Sequence, residues 1–346
     1  MKYILCVLCL LAVLMFPVGA SEIVAPEVPD DAQTLMPPED IGLADRLSYL
    51  LQAGLQGAQP QVAPCIRLCG RILCAMLLLS TVHQVKGYSG KTVEIAGIFA
   101  ICALLLGSTG SMIQLGTQTV QQISQYGKLL LPVLTAALAS QGGSVSAAAL
   151  CSATALFDAV VCSLICSLLL PMVSVYLVLS AVGAATEDDF LHRLRDLLKQ
   201  IMSWSLKLML YTFTGYISIS GIISGAVDQT AVKAAKLTIS GMVPVVGGIL
   251  SDASETVLVG ACIVKNSVGI YGLLGILAVT IVPFLTVGIH YLLLKLTTVL
   301  GSAFASKALT TLMSDFSTAM GLVLAMTGSV CMIQLISIIY FLRGMS

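Results

Sequence analysis

The chain has 346 residues with equal numbers of acidic and basic side chains, and only 10% of its residues are charged while 58% are hydrophobic. Soluble domains contain about 25% charged residues. The composition therefore excludes a soluble protein and, with its many apolar runs of about 18 or more residues, predicts an all-α polytopic helical membrane protein. A chain with zero net charge also lacks the concentrated basic face that nucleic-acid binding requires.

The first 60 residues differ in composition from the rest of the chain. Residues 1–20 have a basic start, an apolar core and a Val18-Gly19-Ala20 ending, which is the pattern of a cleavable secretory signal; an uncleaved first helix is the alternative. Residues 21–60 hold seven acidic residues, several prolines and one basic residue, Arg46. We expect them to form an acidic, largely disordered extracytoplasmic arm, in which 41–55 could form a short amphipathic helix.

Residues 61–346 form the predicted multi-span membrane domain, with about six to eight spans. The span candidates are 65–82, 93–113, 203–223, 267–300 and 320–341. The second span is followed by a polar stretch, 114–125, and by a short apolar stretch, 129–140. Residues 145–185 form either one span kinked at Pro171 or two short spans. The first span carries Arg67 and Arg71 one turn apart, and these must snorkel or contact a partner. Lys86 and Lys91 then predict a cytoplasmic loop.

One charged segment, 187–199, has the apolar periodicity of an amphipathic helix. Its acidic residues come first and its basic residues later, which suits the helix dipole. We interpret it as a cytoplasmic helix at the membrane surface. Its Arg193, Arg195 and Lys199 either form an ordinary solvated face or dock a cytoplasmic partner.

Residues 228–265 are a charged island in apolar sequence. Between Lys207 and Lys295 every charged residue lies in this stretch, three of each sign: Asp228, Lys233, Lys236, Asp252, Glu255 and Lys265. As a helix, the uncharged piece 237–250 would be roughly 21 Å long, which is too short for a hydrocarbon core of about 30 Å. It also contains Pro244, Gly247 and Gly248, which disfavour a regular helix. We predict a re-entrant or broken helix whose charged residues form an intramembrane polar cluster or gate.

The positions of four prolines indicate an internal repeat. A shift of 112 residues superimposes Pro132 on Pro244 and Pro171 on Pro283. Paired interrupted apolar segments are typical of duplicated transporters. We predict two related halves, about 97–208 and 209–320, followed by a C-terminal span, and the sequence leaves open whether the halves are parallel or inverted. The predicted backbone breaks are Pro132, Gly142 and Gly143 in the first half and Pro244, Gly247 and Gly248 in the second.

The candidate chemistry is confined to a few side chains. Asp252 and Glu255 are three residues apart and share a face in a helix. Three interpretations stay open: two polar turns at one membrane surface, a salt-bridged gate or assembly contact, or a transport site. None of the three histidines lies in a protease motif, and His290 is expected to be a hydrogen-bonded packing residue. Asp158 is a lone acid in a helix. We therefore predict no enzyme activity, no catalytic residues and no cofactor.

The cysteines are expected to be core residues. Nine of the eleven lie from Cys65 onward, singly or among apolar residues. The group formed by Cys65, Cys69 and Cys74 has no neighbouring histidine or carboxylate, so no metal site is predicted.

Several of these segments resemble the stage III sporulation protein AE family. The resemblance is carried by Ser224-Gly225-Ala226-Val227-Asp228, by Lys233-Ala234-Ala235-Lys236 and by the run PVVGGILSDASETV at 244–257. The segments KNSVG at 265–269, HYLLLK at 290–295 and LPVLTAALA at 131–139 extend it over nearly the whole chain.

The resemblance implies a multi-pass protein of an endospore-forming bacterium, made in the mother cell and placed in the membrane around the engulfed forespore. It implies a core subunit of a secretion-like channel, with sister proteins of the same operon and a forespore membrane partner besides the lipid bilayer. The alternative is an autonomous secondary transporter with a midplane site around Asp252 and Glu255. The family has no assigned catalytic residues.

We predict that Asp252→Asn combined with Glu255→Gln impairs sporulation without lowering the protein level, because the pair lies inside the membrane. Spore yield and immunoblotting measure the two effects. A normal spore yield in the double variant would reject an intramembrane role for the pair.

Overall fold

The computed structural model describes residues 26–38, 42–84, 90–140, 144–186, 188–223 and 267–344. Every regular element in this part of the chain is a helix, which confirms the all-α prediction. The helices are α1 (Asp30–Gln33), α2 (Leu43–Gln84), α3 (Gly90–Ser140), α4 (Ser144–Leu164), α5 (Leu170–Thr186), α6 (Asp189–Ile223), α7 (Ser267–Gly301) and α8 (Lys307–Gly344). A π-helical turn, Ile165–Leu169, joins α4 to α5.

Five stretches within the described residues are long and apolar enough to cross a membrane: Leu43–Val82, Thr92–Ala136, Cys151–Thr186, Gly269–Gly301 and Lys307–Leu342. The protein is therefore a multi-pass membrane protein. The segment predicted as one kinked span or two short ones is a single span that runs through α4 and α5. Helix α6, which contains the predicted span 203–223 and the predicted surface helix 187–199, is one continuous helix and is not among the five.

The polar stretch 114–125 does not interrupt the chain, because it lies inside the 51-residue helix α3. A helix satisfies its own backbone groups, and several of these side chains are satisfied as well. The Thr117 and Thr119 hydroxyls donate to the carbonyls of Ile113 and Leu115 one turn back, at 2.9 and 2.8 Å. At about 1.5 Å per residue, α3 is roughly 76 Å long and extends well beyond a hydrocarbon core.

The prolines affect the helices less than the sequence predicts. Pro132 lies inside α3 and Pro283 inside α7, so the predicted backbone break at Pro132 is wrong. Pro171 is the second residue after the π-helical turn, separated from it by Leu170. The proline ring clashes with the carbonyl of Ser167, four residues earlier, and the proline has no N–H to donate to it. The wider π-helical turn accommodates both effects.

The expected disorder of the N-terminal arm is wrong for the residues that the structure describes. Val28 and Ala32 are buried, and α1 packs against α7. The predicted helix 41–55 begins at Leu43 and continues without a break into the first span. Apolar residues of an otherwise acidic arm therefore have partners in the bundle.

Helices α2 and α7 run parallel, and so do α3 and α8, whereas the two pairs run in opposite directions. Cys65 contacts His290 and Met76 lies against Gly301, while Gly116 lies against Val323 and Gly127 against Gln334. The end of α2 and the starts of α3, α6 and α8 consequently share one end of the bundle. Ile223 and Ser267, which flank the stretch 228–265, both lie at the other end; that stretch itself is outside the described residues.

Glycines allow close helix contacts where small residues are expected in membrane proteins. A Cβ atom built on Gly54 would lie 2.7 Å from Cγ1 of Ile281, and one built on Gly57 would lie 2.8 Å from Cγ2 of Val282. Both neighbours are β-branched and have little rotamer freedom in a helix. These two glycines therefore set the distance between α2 and α7.

We predict that Gly54→Ala lowers the stability of the bundle by about 1–3 kcal/mol, the usual cost of overpacking. Thermal unfolding of the purified protein in detergent measures the effect. Gly70→Ala on the same helix is the matched control, because a Cβ there meets nothing within 4 Å. An unchanged melting temperature for Gly54→Ala would contradict the predicted α2–α7 contact.

Candidate functional site: buried polar clusters in the bundle

The carboxylate of Asp158 lies in the interior of the bundle, with 1% of the residue exposed. It accepts one hydrogen bond from the Ser124 hydroxyl of α3, at 2.9 Å, and another from the side-chain amide of Gln334 of α8. Gln334 in turn packs on Gly127, where a Cβ would lie 2.7 Å from its amide nitrogen. The acid therefore joins α3, α4 and α8 through neutral donors.

Lys128 is a basic residue that acts on this first cluster through its charge. It lies one turn after Ser124 on α3, is exposed, and stabilises the Asp158 carboxylate electrostatically. Burying a carboxylate is costly unless donors and counter-charges compensate. Two direct donors and one lysine at longer range offset part of this cost.

A second cluster joins α5, α6 and α8. The Arg195 Nη1 donates to Asp315 Oδ2 at 2.7 Å, and the Tyr176 hydroxyl donates to Asp315 Oδ1 at 3.0 Å. Arg195 also donates from Nε and Nη2 to Asp196 Oδ1, at 3.0 and 2.8 Å. The side chains of Arg195 and Asp315 are each 11% exposed, so this ion pair is largely shielded from solvent.

The electrostatics of Arg195 follow from these contacts. Burial by itself lowers the pKa of the guanidinium, but the carboxylates of Asp315 and Asp196 raise the pKa by more, so that the net shift is upward. Arg195 is therefore a permanent cation that belongs to the interior network. Of the three residues of the predicted docking face, only Arg193 and Lys199 are exposed.

The two clusters lie at different depths along the central helix α8. Asp315 and Gln334 are 19 positions apart, and the intervening residues of α8 carry no charge. At about 1.5 Å per residue this separation is roughly 28 Å, close to the thickness of a hydrocarbon core. The bundle is thus tied together by polar contacts at two levels and by apolar packing between them.

Helices α2 and α7 share a buried Cys65–His290 contact, with 3.2 Å between Sγ and Nδ1. His290 is thus the hydrogen-bonded packing residue that the sequence predicts. The described cysteines are all free, and most are at least partly buried. Within the residues described, no group of three or more histidine, cysteine or acidic side chains could hold a metal ion.

All six residues of the predicted gate, and all but one of the predicted backbone breaks, lie outside the described ranges. These are Asp228, Lys233, Lys236, Asp252, Glu255 and Lys265, together with Gly142, Gly143, Pro244, Gly247 and Gly248. The gate, the breaks at these positions and the internal repeat stay predictions.

Sequence reasoning did not single out Ser124, Tyr176, Asp315 or Gln334. The available signal was a single carboxylate in an otherwise apolar helix, which inside a membrane requires a partner. Asp158 and Asp315 both have this signal, but the identity of their partners depends on helix packing.

We predict that Arg195→Met destabilises the bundle by about 3–5 kcal/mol, because it leaves the buried Asp315 without its counter-charge. Replacing both residues, with Arg195→Met and Asp315→Leu, should recover most of that loss because neither charge then remains. Thermal unfolding in detergent measures both variants, with Arg193→Met as the exposed control. A double variant no more stable than Arg195→Met would contradict a direct coupling of the two charges.

The comparisons with known proteins agree with one another. The family model for Stage III sporulation protein AE matches residues 52–343, which include most of α2, the whole of α3 to α7 and nearly all of α8. A curated relative, Stage III sporulation protein AE of Bacillus subtilis (strain 168), is 30% identical over 217 residues, which is 62% of this chain and 54% of the relative, so the match spans about half of the relative's length. No solved structure matches. The chain belongs to the stage III sporulation protein AE family of multi-pass membrane proteins.

Proposed function

We propose that this protein is an integral membrane subunit of a secretion-like channel between mother cell and forespore, required for late forespore development. It acts in the mother-cell-derived membrane around the forespore, together with sister proteins of the same operon and a forespore membrane partner. The main support for the proposal is the family match over residues 52–343, which contain nearly all of the described bundle.

The packing of α8 supports a role as one subunit among several. Helix α8 contacts α3, α4, α5, α6 and α7, and most of its side chains are buried. The middle of the described bundle is therefore filled by protein. A path for cargo is expected at the edge of the bundle, where it meets either the stretch 228–265 or other subunits.

Helix α6 supports the proposal through its outward face. Large apolar side chains recur there at spacings of three, four or seven residues and are all exposed: Phe190, Leu197, Ile201, Trp204, Leu208 and Tyr211. Apolar residues at these spacings are typical of a helix face that packs against another helix. The exposed Arg193 and Lys199 lie beside it, so the predicted docking role fits this face of α6 with Arg195 left out.

The second candidate function is an autonomous secondary transporter, and Asp158 favours it. Ionisable residues inside membrane spans commonly belong to ion or proton pathways. Asp158 has two neutral hydrogen-bond donors as direct partners and lies between three helices. Under this alternative, Asp158 would act with the predicted site around Asp252 and Glu255.

We predict that deletion of the gene in its spore-forming host allows engulfment but arrests the forespore afterwards, and that deletion of the sister genes gives the same arrest. Late forespore gene expression, measured with a fluorescent reporter, is the readout. The purified protein alone in liposomes should move no solute in response to a proton gradient. Normal late expression in the deletion strain, or solute uptake by the protein alone, would contradict the proposal.

Variants of Asp158 separate the two functions within the same assay. Asp158→Asn keeps an oxygen that accepts from Ser124 or Gln334 but cannot ionise, so a structural role predicts near-normal sporulation. Asp158→Leu removes the acceptor, leaves both donors unsatisfied and should impair sporulation. Loss of function in Asp158→Asn at a normal protein level would favour the transporter.

A further inference from the structure

We propose that one outward face of α3 lines a water-filled path through the membrane. This face, the glutamine stripe, consists of seven exposed residues: Gly107, Ser111, Gln114, Gln118, Gln121, Gln125 and Lys128. The inference rests on the proposed channel function and adds to it the position and the chemistry of one wall of the path.

The spacing of the glutamine stripe keeps it on one side of α3. Its members are alternately four and three residues apart along the chain, which is the spacing of a single helix face. Helix α3 is continuous through them, and they all lie within the apolar span Thr92–Ala136. From Gly107 to Lys128 the stripe is roughly 31 Å long, close to the hydrocarbon thickness of about 30 Å. A polar face thus extends along the full depth of a membrane.

Two contacts set the register of α3 against its neighbours α4 and α5. The Ser124 hydroxyl donates to Asp158, and a Cβ built on Gly116 would lie 3.9 Å from Cδ2 of Leu170. The residue number increases along α4 and α5 as it decreases along α3, so α3 is antiparallel to them. Each level of the stripe can therefore be compared with the outer surface of these two helices.

At the depth of the stripe, the neighbouring surface is apolar. Leu168 is about level with Gln114, and Val160 is about level with Gln125. These two apolar side chains are 48% and 63% exposed, as expected of a surface in contact with lipid. The four glutamines consequently lie at hydrocarbon depth, on a different outward face of the bundle.

The four amides of the stripe have no hydrogen-bond partner among the described residues. The polar side chains that α3 directs into the bundle are satisfied: Thr119 donates to the carbonyl of Leu115, and Ser124 donates to Asp158. Lipid offers no hydrogen bonds, so an amide that faces it is costly. The stripe therefore requires water or polar groups of protein.

Water meets this requirement more fully than another helix does. Each glutamine side chain has two N–H donors and a carbonyl oxygen with two lone pairs. A packed helix uses its backbone groups internally, so it can answer only with polar side chains at every level. Two copies of the stripe, paired with each other, would satisfy only part of each amide. Water can satisfy all of these groups.

The residue types also indicate what such a path passes. Lys128 lies at one end of the stripe, and the other six members are neutral. Selection in membrane pores depends on the charges and hydrogen-bonding groups of the wall. A wall of amides offers hydrogen bonds to a solute and repels neither sign of charge. This wall suits small hydrophilic solutes and selects weakly by charge.

The test measures hydration in membrane fragments from sporulating cells, in which other subunits are present. The starting chain is freed of its own cysteines and still supports sporulation. Single cysteines replace the glutamines (Gln114→Cys, Gln118→Cys, Gln121→Cys, Gln125→Cys) and are labelled with a charged methanethiosulfonate reagent. Each should react at least about tenfold faster than Val160→Cys and Leu168→Cys, the controls at the same depth, because the thiolate is the reactive form and apolar surroundings suppress it. Immunoblotting checks that each variant is present at the normal level.

Two results would overturn the proposal. Equal labelling of the glutamine and control positions would show that the stripe is no more hydrated than the lipid-facing surface. Slow labelling of Gln118→Cys together with efficient oxidative cross-linking between two copies would identify the stripe as a contact between copies.

The labelling and the deletion assay of the proposed function fail separately. Normal late expression in the deletion strain refutes the channel whatever the labelling shows. Slow labelling of the stripe, in a host whose deletion strain is arrested, refutes only α3 as the wall of the path.

Discussion

A charged group buried among apolar helices must find its partner inside the protein, and this constraint organises the bundle. The carboxylate of Asp315 on α8 is bound by Arg195 of α6 and Tyr176 of α5, and that of Asp158 on α4 by Ser124 of α3 and Gln334 of α8. Because lipid offers no hydrogen bonds, separating these helices would leave charges unpaired at a cost of several kcal/mol. The apolar contacts are numerous but interchangeable, whereas these polar contacts specify which helices are neighbours.

Close apolar packing complements the polar clusters. Between membrane helices the hydrophobic effect contributes little, so association depends on close contacts at small residues. Glycines at 54 and 57 bring α2 against α7, and Gly116 brings α3 against Val323 of α8. The surface that remains outside this packing includes the apolar face of α6, which suits a helix of another subunit.

Much of the fold could be predicted from the sequence, because long apolar runs with few charges permit little besides membrane helices. The helix boundaries were less predictable. The polar residues at 114–125 favour a connection, yet their hydroxyls bond back to the helix and into the bundle, so α3 continues through them. Pro132 favours a backbone break, but α3 continues through it, because a long helix can absorb a proline when its neighbours hold it in place. The acidic arm was expected to be disordered, and the packing of Val28 and Ala32 could not be foreseen from charge alone.

The candidate site was only half visible in the sequence. The sequence singles out Asp158 as a lone acid in a helix, but it predicts Arg195 on an outward docking face, whereas Arg195 lies in the interior. Ser124, Tyr176 and Gln334 are ordinary residues until packing places them beside a carboxylate. The central claim is that α8 is enclosed by the other helices, and disulfide cross-linking in native membranes tests it most directly. In a chain freed of its own cysteines, Gly116→Cys with Val323→Cys should cross-link rapidly within one molecule, because a Cβ at Gly116 lies 2.7 Å from Cγ1 of Val323. Gly110→Cys with Val323→Cys should not cross-link, and equal cross-linking of the two pairs would contradict the account.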